Sequence, residues 1–330
     1  MNIWKNVKLP GFVLCAAAAL AGCGKKNEDK VRVAYFPNIT HSQALVMKSQ
    51  GLLEEKLGES AEVDWISFNA GPAEVEAIFA GEIDMGYIGP VPAISAYIKS
   101  QGDVQIIAGA ANAGAVLVVR DGAGIESVED LDGKNVSIPQ LGNTQHLSLL
   151  NLMKENGLKT KAEGGTVNVV AASNADVANL MDQDNIDAAL VPEPWGTILE
   201  QNGAKVLLDY DQVWMEGNYA TAVVVVRKEF LEEHRDVVEK FIEAHQESTD
   251  YINANPKEAG KLANQEIEEA TQKGIEDEVL QRAYERLIFS TVIPEASITE
   301  FAKLNKQEGF TRISLIAVCL NKWFFLQSAQ

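Results

Sequence analysis

The sequence predicts a two-lobed α/β fold in which the chain passes twice between the lobes. Three observations carry this expectation. From Val31 onward, short β-branched runs alternate with helix-length segments, the pattern of strands joined by crossover helices in a parallel sheet. The alternation comes in two blocks, one over 31–120 and one over 121–223. Two near-identical apolar segments, Val116-Leu-Val-Val-Arg120 and Val223-Val-Val-Val-Arg227, bracket the second block. Read as crossover strands, they take the chain out of lobe one near residue 120 and return it near 224. Two buried strands of a single sheet would read the same way.

The elements follow in order. Val31–Tyr35 reads as a strand, with Thr40 as N-cap of a helix ending near Gly51. Val63–Phe68 is a second strand, and Pro72 opens a helix whose Val75, Ile78 and Phe79 form an apolar stripe. Met85–Ile88, Val104–Ala108 and Val116–Val119 continue the strand pattern. In the second block, strands Asn135–Pro139 and Val167–Ala171 flank a helix over about 144–156, followed by a helix Asn174–Met181 and a strand Ala188–Val191. Thr221–Arg227 is a long apolar strand. The later helices, Glu229–Asn253 and Asp277–Phe289, carry dense charge of the kind found on solvated helix faces. Lobe one is thus discontinuous, 31–120 and 224–310, and lobe two is 121–223. The stretch 311–330 is an atypical C-terminal tail, apolar and free of Asp and Glu, and no function is assigned to it.

The front end sets the compartment. Lys5 and Lys8 precede an apolar run, Leu9–Leu20, interrupted by Pro10 and Gly11. A membrane-spanning helix needs about 20 apolar residues, and this run has instead the length of a secretory signal. Leu20-Ala21-Gly22-Cys23 resembles the lipobox of bacterial lipoproteins. That implies a signal peptide over 1–22, lipid on Cys23, a polar tether over 23–30, and anchoring to the extracytoplasmic face of a membrane. Of the three cysteines, Cys15 leaves with such a signal and Cys23 is acylated, so Cys319 has no disulfide partner within the mature chain. The balance of 28 Lys+Arg against 47 Asp+Glu, a net −19, argues against nucleic acid, which needs a basic footprint. It also repels any anionic ligand at long range, so an anion would have to be held by local dipoles.

In open α/β sheets ligands bind beyond the carboxyl ends of the strands. There this chain places Asn38 and His41, Asn69 and Gly71, Gly89, the Gln140-Leu-Gly142-Asn143-Thr144-Gln145-His146 loop, and Glu193 with Trp195. Gly142 permits close backbone approach, while Asn143 and Thr144 offer hydrogen bonds at a helix start. A helix N-terminus carries unpaired N–H donors and roughly half a positive charge, which suits an oxyanion; an ordinary capped helix has the same residues. Glu193 suits either loop amides or an ammonium on the ligand, and Trp195 an aromatic cleft wall. No metal spacing, nucleophile elbow, zincin motif or Walker loop is present, so neither metal nor cofactor is expected.

As an ordered set, Tyr35-Phe-Pro-Asn-Ile-Thr-His41, Phe68-Asn-Ala-Gly-Pro72, Gly81-Glu-Ile-Asp-Met-Gly-Tyr-Ile-Gly-Pro90, Pro139-Gln-Leu-Gly-Asn-Thr-Gln145 and Val191-Pro-Glu-Pro-Trp195 resemble the nitrate/sulfonate/taurine class of ABC-importer binding proteins. The resemblance covers about 31–309. It implies a type II periplasmic-binding-protein fold, two α/β lobes joined by a two-segment hinge, and a monomer that closes on its ligand like a clamp; export with a lipid anchor and the absence of a catalytic set argue against an enzyme. It also implies partners, a transmembrane permease and its ATPase subunit. The ligand is then a small oxyanion, an aliphatic sulfonate first, with taurine, nitrate or another small solute as alternatives. A membrane-tethered sensor and an enzyme like those of thiamin-pyrimidine pathways are the competing readings.

Overall fold

The computed structural model describes residues 30–311. The expected signal, the expected lipid site at Cys23, nearly all of the expected tether and the tail beyond Thr311 lie outside the described residues. The first sheet holds β1 (Lys30–Tyr35), β2 (Glu62–Ser67), β3 (Met85–Ile88) and β4 (Val104–Ala113). The second holds β5 (Ala115–Val119), β6 (Asn135–Ile138), β7 (Asn168–Ala171), β8 (Ala188–Pro192) and β9 (Lys205–Leu208). The chain then returns to the first sheet with β10 (Ala220–Arg227) and β11 (Leu287–Phe289).

The two sheets share one plan. The first runs β2-β1-β3-β10-β4 with β11 at its edge, and the second runs β7-β6-β8-β5-β9. In each, three parallel strands are followed by one antiparallel strand, β10 against β3 and β5 against β8. That strand is the first the chain lays down after changing lobes. The sheets are therefore mixed, not purely parallel as the alternation of strands and helices suggested: a chain arriving from the other lobe enters the sheet from its cleft end.

The crossings also fall elsewhere than expected. The outward one is the single step from Ala113 to Ala115 through Gly114, where Ala113 and Gly114 both have left-handed φ, 63° and 72°. The return lies between Leu208 and Ala220. Val116–Val119 and Val223–Val226 are each entirely inside one sheet, so the boundaries near 120 and 224 are placed late. The two segments are alike because each is the buried antiparallel strand of its own sheet, and burial on both faces selects the same Val-rich run.

Helices cover both faces of the first sheet. Ser42–Gln50, Arg235–Ala254 and Pro256–Thr271 pack on one side, and Gly71–Phe79 and Pro90–Lys99 on the other. The acidic late helices thus have a solvated face and a core face, the latter holding Phe241, Ala244, Ala263 and Ile267. The helix Glu295–Gln307 packs on Pro90–Lys99 and on Thr144–Glu155 of the second lobe. Its fully buried Phe301 lies 4.3 Å, ring to ring, from Trp214, and burying a side chain of that size stabilises by about 1.5–3 kcal/mol.

Candidate functional site

The parallel strands of both sheets end at one cleft between the lobes. Its walls are the turns after β1, β2 and β3 on one side and after β6, β7 and β8 on the other. Of the sequence-predicted residues, Asn38, His41, Asn69, Gly71, Gly89, Asn143, Thr144 and Gln145 line it. The helices Gly71–Phe79, Pro90–Lys99 and Thr144–Glu155 all begin there; Pro90 and Pro92 carry no N–H, so the first-turn backbone donors come mainly from the other two. The void left for water-sized groups is about 30 Å³. One water needs roughly 10–15 Å³ on that measure, so the space matches a compact head group.

Backbone hydrogen bonds fix which polar atoms remain free. Asn38 Oδ1 accepts from the Thr40 amide at 3.1 Å and from the Thr40 hydroxyl. An oxygen held by a backbone N–H leaves the side-chain NH₂ as the outward group. Asn143 Oδ1 accepts from the His146 amide at 2.8 Å, and its NH₂ donates to Gln145 Oε1 at 3.1 Å. Gln145 is thereby left with its Nε2 donors. His41 Nδ1 accepts from the Phe36 amide at 3.1 Å, with the two rings stacked at 4.3 Å. Burial pulls the His41 pKa down to about 3, so the ring is neutral with its proton on Nε2. Asn38, Gln145 and His41 thus each present N–H groups with no partner among the described residues. Thr144 Oγ1 and Asn174 Oδ1 are buried and unpartnered as well.

Two glycines permit close approaches at the cleft, Gly71 within the first-lobe wall and Gly89 between the two walls. A Cβ on Gly71 would lie 2.3 Å from Pro92 Cγ, and one on Gly89 would lie 2.5 Å from Thr144 Oγ1 across the cleft. Gly142 serves its own loop instead: its φ of 82° is left-handed, and its amide donates to His146 Nδ1 at 3.0 Å. Burial lowers the His146 pKa to about 4, so this ring too is neutral, and it packs 5.3 Å from Phe310.

Four predicted residues lie outside the cleft lining. Gln140 and Gly142 belong to the turn just behind it, and Gly142 borders an outer groove with Pro72, Phe79 and Leu141. Trp195 packs on the far side of the second sheet with Val116, Val191 and Leu199, because the turn after β8 points its indole at the core rather than at the other lobe. Glu193 is fully buried and occupied. Its Oε1 meets Arg286 Nη1 at 2.7 Å and its Oε2 accepts from the Thr197 amide at 3.1 Å. Arg286, just before β11 in the first lobe, also pairs with Glu200 at 3.1 Å and Asp209 at 2.9 Å. One buried guanidinium therefore ties three second-lobe carboxylates to the first lobe beside both crossings. Of the two roles open to Glu193, the geometry gives it the structural one.

Sequence reasoning passed over Phe36, Thr40, Pro192, Asn174 and Thr221, which also line the cleft. Asn174 follows β7, an end that the carboxyl-edge rule covers. Thr221 sits at the start of β10, and only the antiparallel direction of that strand brings its first residues to the cleft.

Comparison with known proteins agrees with this architecture. The chain is 34% identical over 197 residues to the taurine-binding periplasmic protein of Escherichia coli (strain K12), covering 59% of each chain. It is 28% identical over 219 residues to the putative aliphatic sulfonates-binding protein of the same organism, covering 66% of each. The chain therefore spans less than two thirds of the length of these two curated relatives. Among solved structures, the alkanesulfonate-binding protein SsuA from Xanthomonas axonopodis pv. citri, bound to MOPS, superposes with a TM-score of 0.75 at 18% identity, covering 88% of this chain and 98% of that one. The periplasmic nitrate-binding protein NrtA from Synechocystis PCC 6803 gives 0.73 at 11% identity, covering 92% and 89%. These likenesses identify the fold as that of periplasmic binding proteins, as the ordered set of βα turns implied. The NMT1-like family model matches residues 24–266, the greater part of the chain, and the chain belongs to the NMT1-like family.

Proposed function

We propose that this protein is the solute-binding component of an ABC importer and captures the head group of a small oxyanion, an aliphatic sulfonate first, between its two lobes. The observation that carries this reading is the donor set. Asn38, Gln145 and His41 have their acceptor atoms occupied by N–H groups, so what these three side chains keep toward the cleft is N–H, joined by the first-turn amides of the helices Gly71–Phe79 and Thr144–Glu155. Such a set stabilises an anion without a formal positive charge, which resolves how a chain of net charge −19 holds one. The names of the curated relatives, taurine-binding and aliphatic sulfonates-binding, support the same class.

In this reading the lobes rotate about the two crossings, at Gly114 and between Leu208 and Ala220. The ligand favours closure by contacting both lobes at once. The closed form delivers its ligand to a permease and its ATPase subunit, and Cys23 carries the lipid that holds the protein at the extracytoplasmic membrane face. A titration of the mature chain, read by calorimetry and by thermal shift, tests the ligand class. Ethanesulfonate, propanesulfonate and nitrate should raise the melting temperature, and choline and glucose should leave it unchanged. Tight binding of choline or glucose with no response to any sulfonate or to nitrate would end the oxyanion reading.

A further inference from the structure

We infer that the cleft selects an oxyanion whose remaining part carries no ammonium group, so that a plain alkanesulfonate is preferred over its 2-amino analogue. The inference rests on the oxyanion reading above and adds the chemistry of the rest of the ligand. Every described residue lining the cleft is uncharged at neutral pH. The single titratable side chain among them is His41, whose Nδ1 already accepts the Phe36 amide proton; protonation would only make it repel a cation.

Of the three carboxyl groups closest in sequence to the cleft turns, Asp176 lies outside the lining with its Oδ2 accepting from the Ser173 hydroxyl at 2.6 Å, and the other two are withheld. Glu193 follows the lining residue Pro192, but Arg286 and the Thr197 amide occupy its two oxygens. Glu74, in the first turn of the helix Gly71–Phe79, is fully buried against β1 and β3. A Cβ placed on Gly86 would lie 2.8 Å from its Oε1. Burial pushes its pKa well up, so it is a neutral acid under the wall.

What the side chains of the cleft offer an ammonium is therefore neutral oxygens alone, the unpartnered Thr144 Oγ1 and Asn174 Oδ1 among them. A two-carbon spacer keeps the ammonium of a 2-aminosulfonate between the same lobes as the head group. Removing an ion from water is costly unless an opposite charge compensates, and no described residue lining the cleft supplies one. The relative named for taurine is 34% identical, so this discrimination would separate two similar chains by ligand.

The test is calorimetric titration of the mature chain with ethanesulfonate, propanesulfonate and taurine at one pH and salt concentration. Ethanesulfonate should bind about 10- to 100-fold more tightly than taurine. In Asn174→Asp, which replaces the unpartnered oxygen by a carboxylate of the same shape, the ratio should move at least about tenfold toward taurine. Taurine binding as tightly as ethanesulfonate, or tighter, overturns the inference and leaves the oxyanion reading intact. A ratio unchanged in a folded Asn174→Asp overturns the charge argument behind it. Silence from all three sulfonates overturns the oxyanion reading itself.

Discussion

Glu74 sits where a hydrophobic residue would be expected. Its side chain is fully buried, both oxygens lack a partner among the described residues, and burial raises its pKa well above the usual carboxyl range. Because the folded chain holds this proton more tightly than the unfolded one, its contribution to stability declines as pH rises above the unfolded pKa of about 4.5. Glu74→Met keeps the length of the side chain and removes the unpaired acid. Urea denaturation should find the variant more stable by about 1–3 kcal/mol, with a larger gain at pH 8 than at pH 5. A loss of stability at both pH values would refute the assignment. The buried histidines have the opposite sign. His41, His146 and His245 are held neutral, with pKa values lowered by burial to about 3, 4 and 4. Protonation therefore favours the unfolded chain, and stability falls as pH drops from about 6.5 through 4. Sequence position alone flagged His41 and His146 as helix-start residues; their neutrality depends on burial, which needs the fold.

At the level of the element, the cleft depends on glycines that let two helix starts meet. Gly89 has φ −65° and ψ 148°, a conformation open to any residue, so Gly89→Ala introduces no backbone strain. Its cost lies across the cleft, where the new Cβ would stand 2.5 Å from Thr144 Oγ1. The unliganded protein should then melt within a few degrees of the parent, while affinity for ethanesulfonate falls at least about tenfold. Thr144→Ser, keeping the hydroxyl but shedding the methyl, leaves the side chain freer to move aside and should restore part of the loss in the double variant. Equal affinity in Gly89→Ala and the parent would show that these walls do not close on the ligand. Gly142→Ala differs in kind. Its left-handed φ of 82° penalises a Cβ by about 1–2 kcal/mol, so its effect is expected in stability. The helix start over Thr144–Glu155 was legible from sequence because Asn143 is an N-cap of ordinary chemistry. The wall that meets it was not, since nothing local relates residue 89 to residue 144.

For the molecule as a whole, Arg286 is a charged tie between the lobes besides the two crossings and the packing of the helix Glu295–Gln307. It is 2% exposed and faces Glu193, Glu200 and Asp209 of the second lobe. Removing the guanidinium leaves Glu193 buried without a counter-charge, so Arg286→Met should cost about 3–5 kcal/mol in urea denaturation. Glu193→Gln in the same chain should recover part of that cost, since the stranded charge is then gone. A loss below about 1 kcal/mol in the single variant would mean that water already reaches the pair. In the sequence, Arg286 reads as one more basic residue on an acidic helix, and Glu193 as a residue of a ligand loop. Only their meeting, 93 positions apart, separates the structural role from the binding one.

The sequence by itself determined the two α/β units, the turns that form the cleft and the family, because strand and helix periodicity, Gly and Pro at turns and N-cap chemistry are all local. It also identified eight of the residues that line the cleft. Tertiary structure decided where the chain changes lobe, which way β5 and β10 run, and why Thr221 reaches the cleft while Trp195 turns away. It decided, too, that Glu193 belongs to Arg286 and that the cleft is lined by uncharged residues. These outcomes depend on contacts between residues far apart in the chain, and on the burial that such contacts impose.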